Sequence, residues 1–220
     1  MTRKFLVSLT PLLAVAAFVV LPATAQGVPH LYQNKVIVTE GKRVRDFGWG
    51  NFKFTNGSRG EIECRNVFAG YLENPAGGGA ARGKTEAWDT FECVDPTCAA
   101  LGGTGEVIPE KKPWSVETKE PESGAFTVKT GETNGPTSIY FTLKCGSERI
   151  VLEGGLTANY QAPQNEAIGY PAYLKYDQPG AGELESEHLG GFQVSSPGGQ
   201  KQAFEGYTAF EKLELSAVGF

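Results

Sequence analysis

Hydrophobic and polar residues alternate along most of this chain with a period of two. The clearest run is "TSIYFTLKC", Thr137 to Cys145. Ile139, Phe141, Leu143 and Cys145 fall on one side; Tyr140, Thr142 and Lys144 fall on the other. Side chains of a strand point alternately to opposite faces, so this run predicts a half-buried β-strand. "GAFTVKT", Gly124 to Thr130, precedes it, and "GETNGP" between them has the residues of a hairpin tip. In "GELESEHLGGFQV" the alternation puts Glu183, Glu185 and Glu187 outward and Leu184, Ser186 and His188 inward. The outward acids read as a solvated face that also discourages edge-to-edge pairing. "SSPGGQ" then turns into "KQAFEGYTAF", and "EKLELSAV" closes the chain. Helix signals are scarce, while 29 Gly and 13 Pro punctuate the sequence. Many short strands at regular turn spacing predict an all-β fold. The expected form is an antiparallel sandwich or barrel-like fold with long Gly/Pro-rich loops.

One segment spells a phosphate-binding loop. "GGAARGKT", Gly78 to Thr85, fits G-x-x-x-x-G-K-[ST]. A working P-loop lies between a buried strand and a helix whose N-terminus faces the phosphate. Here the chain leaves as "TEAWDTFEC", which alternates and is rich in β-preferring Thr, Trp and Phe. Nucleotide binding is therefore not expected. Cys64 and Cys93 lie at equal distances from the Gly78–Gly79 junction. If "EIECRNVFAGYLENP" pairs with "GKTEAWDTFEC" as a hairpin, the two cysteines meet. "NPAGGGAARG" is then its tip, with glycines free to take positive φ. On this reading Cys64–Cys93 staples the hairpin and Cys98–Cys145 ties the next loop to the strand at 139–145. The rival is Cys93–Cys98 with Cys64–Cys145, and sequence leaves the choice open.

The first residues change the setting. Arg3 and Lys4 precede an apolar run from Phe5 to Leu21, and Ala23-Thr24-Ala25 follows. This is the layout of a secretory signal peptide at residues 1–25, cut after Ala25. The expected product is one secreted β-rich domain, residues 26–220, with no membrane span. The Pro- and charge-rich stretch Ile108–Gly124 is where it would divide into two β-halves. Without Arg3 and Lys4 the chain has 18 basic against 25 acidic residues, a net charge of −7. Such a chain repels phosphate backbones, so a nucleic-acid partner is not expected. An exported protein meets oxidising conditions, which makes two disulfides the default for its four cysteines. A zinc site would want C-x-x-C and neighbouring His, and neither is present.

Candidate chemistry is thin, and no metal or cofactor is expected. His30 lies five residues past the expected cut, where chains fray, and His188 reads as an inward strand residue. No G-x-S-x-G elbow accompanies them. Carboxylates remain. Asp89 alternates onto the face of Phe91 and Cys93, and a buried Asp89 with a partner across a cleft would suit a polysaccharide hydrolase. Aromatics are the other tool: Trp49, Trp88 and Trp114, with Tyr160, Tyr170, Tyr173 and Tyr176, could stack on sugar rings. Trp88, Thr90 and Tyr173 are the candidate ligand residues, with Trp88 on the strand face opposite Cys93. The plainer role for Trp88 is core packing.

"IECRNVFAGYLENPAGGGAARGKTEAWDTFEC", followed by Cys98, "PWSVE", Cys145 and "GELE", resembles a family of secreted actinobacterial proteins of unknown function. The likeness runs from about Gly60 to Glu185. It implies export and a β-rich fold, and it implies no activity. The leading expectation is a non-catalytic secreted or envelope-associated binding protein. Its partner would be a cell-wall or extracellular glycan, or a protein. The alternatives are the carboxylate hydrolase and a structural extracellular component.

Overall fold

The computed structural model of the chain describes residues 28–33, 36–119, 126–131, 138–161, 172–175, 182–186, 188–204 and 213–216. The expected signal peptide lies outside them, as do Tyr170 and Tyr176.

Four long strands set the frame: β3 (Arg43–Asn56), β4 (Gly60–Glu73), β5 (Arg82–Val94) and β10 (Glu148–Gln161). Shorter strands fill the spaces end to end. β6 (Gly105–Glu110) with β7 (Trp114–Lys119), and β8 (Thr127–Thr130) with β9 (Ile139–Cys145), lie between β5 and β10. β11 (Ala172–Lys175) with β12 (Gly182–Ser186), and β13 (Gly190–Ser195) with β14 (Gln200–Phe204), lie between β10 and β3. Every pairing is antiparallel, and β3 pairs with β4 on one side and with β13 and β14 on the other. The ladder therefore closes on itself as an up-and-down barrel, the barrel-like form of the expected all-β fold. Among the described residues closure gives the ring strands a partner on each side, except that β6 is laddered only to β9 and meets β5 through the Thr90–Val107 bond. A separate three-stranded sheet joins β1 (His30–Gln33), β2 (Val36–Ile37) and β15 (Leu213–Ser216). No helix among the described residues is long and apolar enough to cross a membrane.

The hairpin expected around the Gly-rich segment is β4–β5. Its ladder runs to Glu73↔Arg82, and Gly77, Gly78 and Gly79 at the tip have φ of 91°, 87° and 107°. Those are left-handed values that side chains with Cβ rarely adopt. The P-loop spelling is thus a turn followed directly by a strand. Cys64 bonds Cys93, and Cys98 bonds Cys145. Ile139, Phe141, Leu143 and Cys145 are buried, as their alternation requires.

Aromatic rings fill much of the interior. Trp88 lies 5.2 Å from Phe68, 5.3 Å from Phe52, 5.7 Å from Trp114 and 6.0 Å from Phe141, ring centre to ring centre. Each buried side chain of this size contributes about 1.5–3 kcal/mol, and ring pairing adds to that. Near the Gly60 end of β4, Arg59 clamps buried Asp95 with two bonds, Nη1 to Oδ1 at 3.0 Å and Nη2 to Oδ2 at 2.5 Å. Asp95 also caps helix α1 (Pro96–Ala100), accepting from the Cys98 amide at 2.9 Å. Burial pushes the Asp95 carboxyl up; the bonds from Arg59 and Cys98, with the Arg59 charge, outweigh it and hold the group below its ordinary value.

Two histidine expectations are corrected. His30 is not frayed: it pairs with Ser216 in the small sheet, and its Nδ1 donates to Val28 O at 2.6 Å. Asn74 holds the neighbouring Leu31 through both amide and carbonyl. His188 is not an inward strand residue; it is exposed in the turn between β12 and β13.

Candidate functional site

The strand β5 carries two irregularities that decide which side chains face outward. Ala69↔Ala87 is followed by Gly70↔Thr85, so Glu86 is an extra residue. Likewise Arg65↔Phe91 and Glu63↔Val94 leave one residue too many on β5, and Glu92 takes a left-handed φ of 50°. A bulge of this kind reverses the alternation beyond it. Strict alternation would put Asp89, Phe91 and Cys93 together. The bulge at Glu92 instead turns Cys93 back toward Cys64 and the core, while Asp89 and Phe91 stay outside.

Asp89 is therefore exposed, contrary to the buried position considered from sequence. Its Oδ1 accepts from the Thr90 amide at 2.9 Å. Among the described residues the buried carboxylates are Asp95, held by Arg59, and Asp46, whose Oδ2 accepts from Gln202 Nε2 at 2.6 Å. Burial, reinforced by the nearby Glu86 charge and opposed by the Gln202 bond, pushes Asp46 up to about 6.

Of the candidate ligand residues, Trp88 is only 5 % exposed and packs at the centre of the aromatic cluster. Its packing is the plainer role weighed for it from sequence. Thr90 is half-buried, and its Oγ1 donates to Val107 O, joining β5 to β6. Tyr173 pairs with Lys201, which in turn pairs with Trp49. That register places Tyr173 on the row that continues to Val67 and Asp89.

The outer face along that row joins Trp49, one of the aromatics named from sequence, to apolar residues that sequence reading missed. Phe47, Val67 and Phe91 are 49 %, 43 % and 42 % exposed, large apolar side chains on three adjacent strands. Trp49 stacks on Phe47 with ring centres 5.9 Å apart and planes 18° from parallel. Cross-strand registers Phe47↔Ala69↔Ala87 and Trp49↔Val67↔Asp89 make the surface continuous. Two grooves flank the Trp49–Val67 ridge. One, of about 490 Å³, runs past Phe47, Glu86, Asp89 and Lys112. The other, of about 470 Å³, runs past Asn51, Arg65, Phe91 and Lys201. Lys112 is fixed there by donating to Trp88 O at 3.0 Å and Pro109 O at 3.1 Å. A flat apolar ridge bordered by groups of both charges can hold a ligand that is itself part apolar and part hydrogen-bonding. The signal was present in "RVRDFGWGNFKF", where both faces carry aromatic residues; nothing local says which face is outside.

Comparison of the chain with protein-family models, with curated proteins and with solved structures found no match.

Proposed function

We propose that this is a secreted, non-catalytic binding protein whose outer aromatic face holds an extracellular or cell-wall glycan. The observation that carries the reading is the near-parallel Phe47–Trp49 pair on an exposed ridge between two grooves. A sugar ring offers a C–H face that suits an aromatic surface and hydroxyls that suit Asn51, Arg65, Asp89 and Glu86 at its edges. Single exposed apolar residues are ordinary on any protein, whereas a contiguous set across three strands marks a contact surface.

The test is retention of the oxidised protein on a panel of insoluble polysaccharides and cell-wall preparations. The reading expects retention on at least one of them, reduced at least tenfold by Phe47→Ala with the circular dichroism spectrum unchanged. Absence of retention on every glycan would end the glycan reading and move the same surface to a protein partner.

A further inference from the structure

Behind this platform the largely apolar inner wall carries a polar patch. Across β14, β3 and β4 one row reads Gln200, Gly50, Asn66, and the next reads Gln202, Gly48, Phe68. The two glycines bring no side chain inward. Phe68 covers Gly48, and the Gln200 carboxamide lies over Gly50. A Cβ at those glycines would stand 2.2 Å from the Phe68 ring and 2.9 Å from the Gln200 amide. Asn66 is 1 % exposed and Gln200 is fully buried. Gln200 Nε2 donates to Asn51 O at 2.6 Å, but its Oε1 has no protein partner. Neither has Asn66 Nδ2, Asn66 Oδ1 or Trp88 Nε1. Trp88 belongs to the same wall, since it pairs with Phe68, the inward residue next to Asn66 on β4.

Leaving one buried donor or acceptor unpaired costs about 1–3 kcal/mol, so four on one wall require a reason. The set has two donors and two acceptors. A cation would meet the indole and amide N–H groups, and an anion would meet the two amide oxygens and the neighbouring Asp46. A hydroxyl group both donates and accepts, and it fits the set without a charge mismatch. Small barrels are wide enough inside for side chains or one small ligand.

We infer that the wall formed by Asn66, Gln200 and Trp88 is an internal site for small neutral hydroxyl-bearing molecules, water being the smallest. The turn at Pro197–Gly199 immediately precedes Gln200. It lines the second groove together with Gly50 and Asn66, so the site lies one sheet layer behind that groove. The inference is separate from the glycan reading, because its readout is inside the barrel.

The experiment is NMR of the oxidised ¹⁵N-labelled protein, following the Trp88 indole N–H, identified by its loss in Trp88→Phe. One arm measures magnetisation transfer from long-lived water to that N–H; the other titrates ethylene glycol. The expected result is a water contact and a saturable shift with the diol. Both should disappear in Asn66→Leu, and the diol should bind at least tenfold more weakly in Gln200→Met. The second variant keeps side-chain length and serves if the first does not fold. A water contact without a diol response supports a site for water alone. An indole N–H with neither response, in protein whose other signals show an intact fold, overturns the inference.

Discussion

Trp49 and Trp88 sit on opposite faces of the same three strands and have opposite surroundings. Trp88 is enclosed by Phe52, Phe68, Trp114 and Phe141. Trp49 stacks on Phe47, which is itself half-exposed. Both faces are rich in apolar residues, so hydrophobicity does not distinguish them. Closure of the barrel does. Once β3 pairs with β13 and β14 and the ring shuts, one face becomes the lining and the other meets solvent. The inner tryptophan then serves the fold, and the outer one is available to a partner.

Substitutions on the two faces should separate stability from binding. The largest effect is expected from Trp88→Ala, which removes the centre of the aromatic cluster. A cost of about 3–5 kcal/mol should appear as a lower denaturation midpoint in urea. Replacing Cys64 and Cys93 together by Ala frees a 29-residue separation in the unfolded chain. The chain-entropy account gives a loss of about 3–4 kcal/mol by the same measurement.

Asp46, under the platform, should give a pH signature. Its carboxyl rises from 3.8 to about 6 on folding, so the folded state binds the proton more tightly than the unfolded state. The stability it contributes is full below about pH 4, declines as pH rises toward 6, and is absent above. A rise of that size corresponds to about 3 kcal/mol at most. Asp46→Asn should flatten that part of the stability–pH curve, measured by thermal or urea unfolding between pH 4 and 7.5. An unchanged curve would mean that Asp46 is not a buried titrating group. The smallest stability effect, within about 1 kcal/mol, is expected from Phe47→Ala on the outer face.

Much of the strand layout was legible because it depends on local pattern. The alternation at 139–145, the Gly-rich tip and the mirror placement of Cys64 and Cys93 all encode short-range geometry. The outward face of β5 was not legible, because the extra residues at Glu86 and Glu92 each reverse the alternation without a local mark. Strict period-two reading therefore put Cys93 with Asp89 and raised a buried Asp89 as a candidate, while the core role weighed for Trp88 is the one the fold gives it. Barrel closure was hidden for a different reason: it depends on pairing between β3 and strands about 150 residues later, such as Gly50↔Gln200. Which face becomes the outer platform, and the polar patch behind it, follow from that long-range pairing, so neither could be assembled from sequence spacing.

The outer face is tested most directly by binding of wild-type protein, Trp49→Ala and Trp88→Phe to the retaining polysaccharide, with unfolding midpoints taken on the same preparations. Trp49→Ala is expected to weaken binding at least tenfold at nearly unchanged stability. Trp88→Phe should lose stability and, while folded, bind as the wild type does. Equal binding by Trp49→Ala and wild type would contradict the assignment of the outer face as the contact surface.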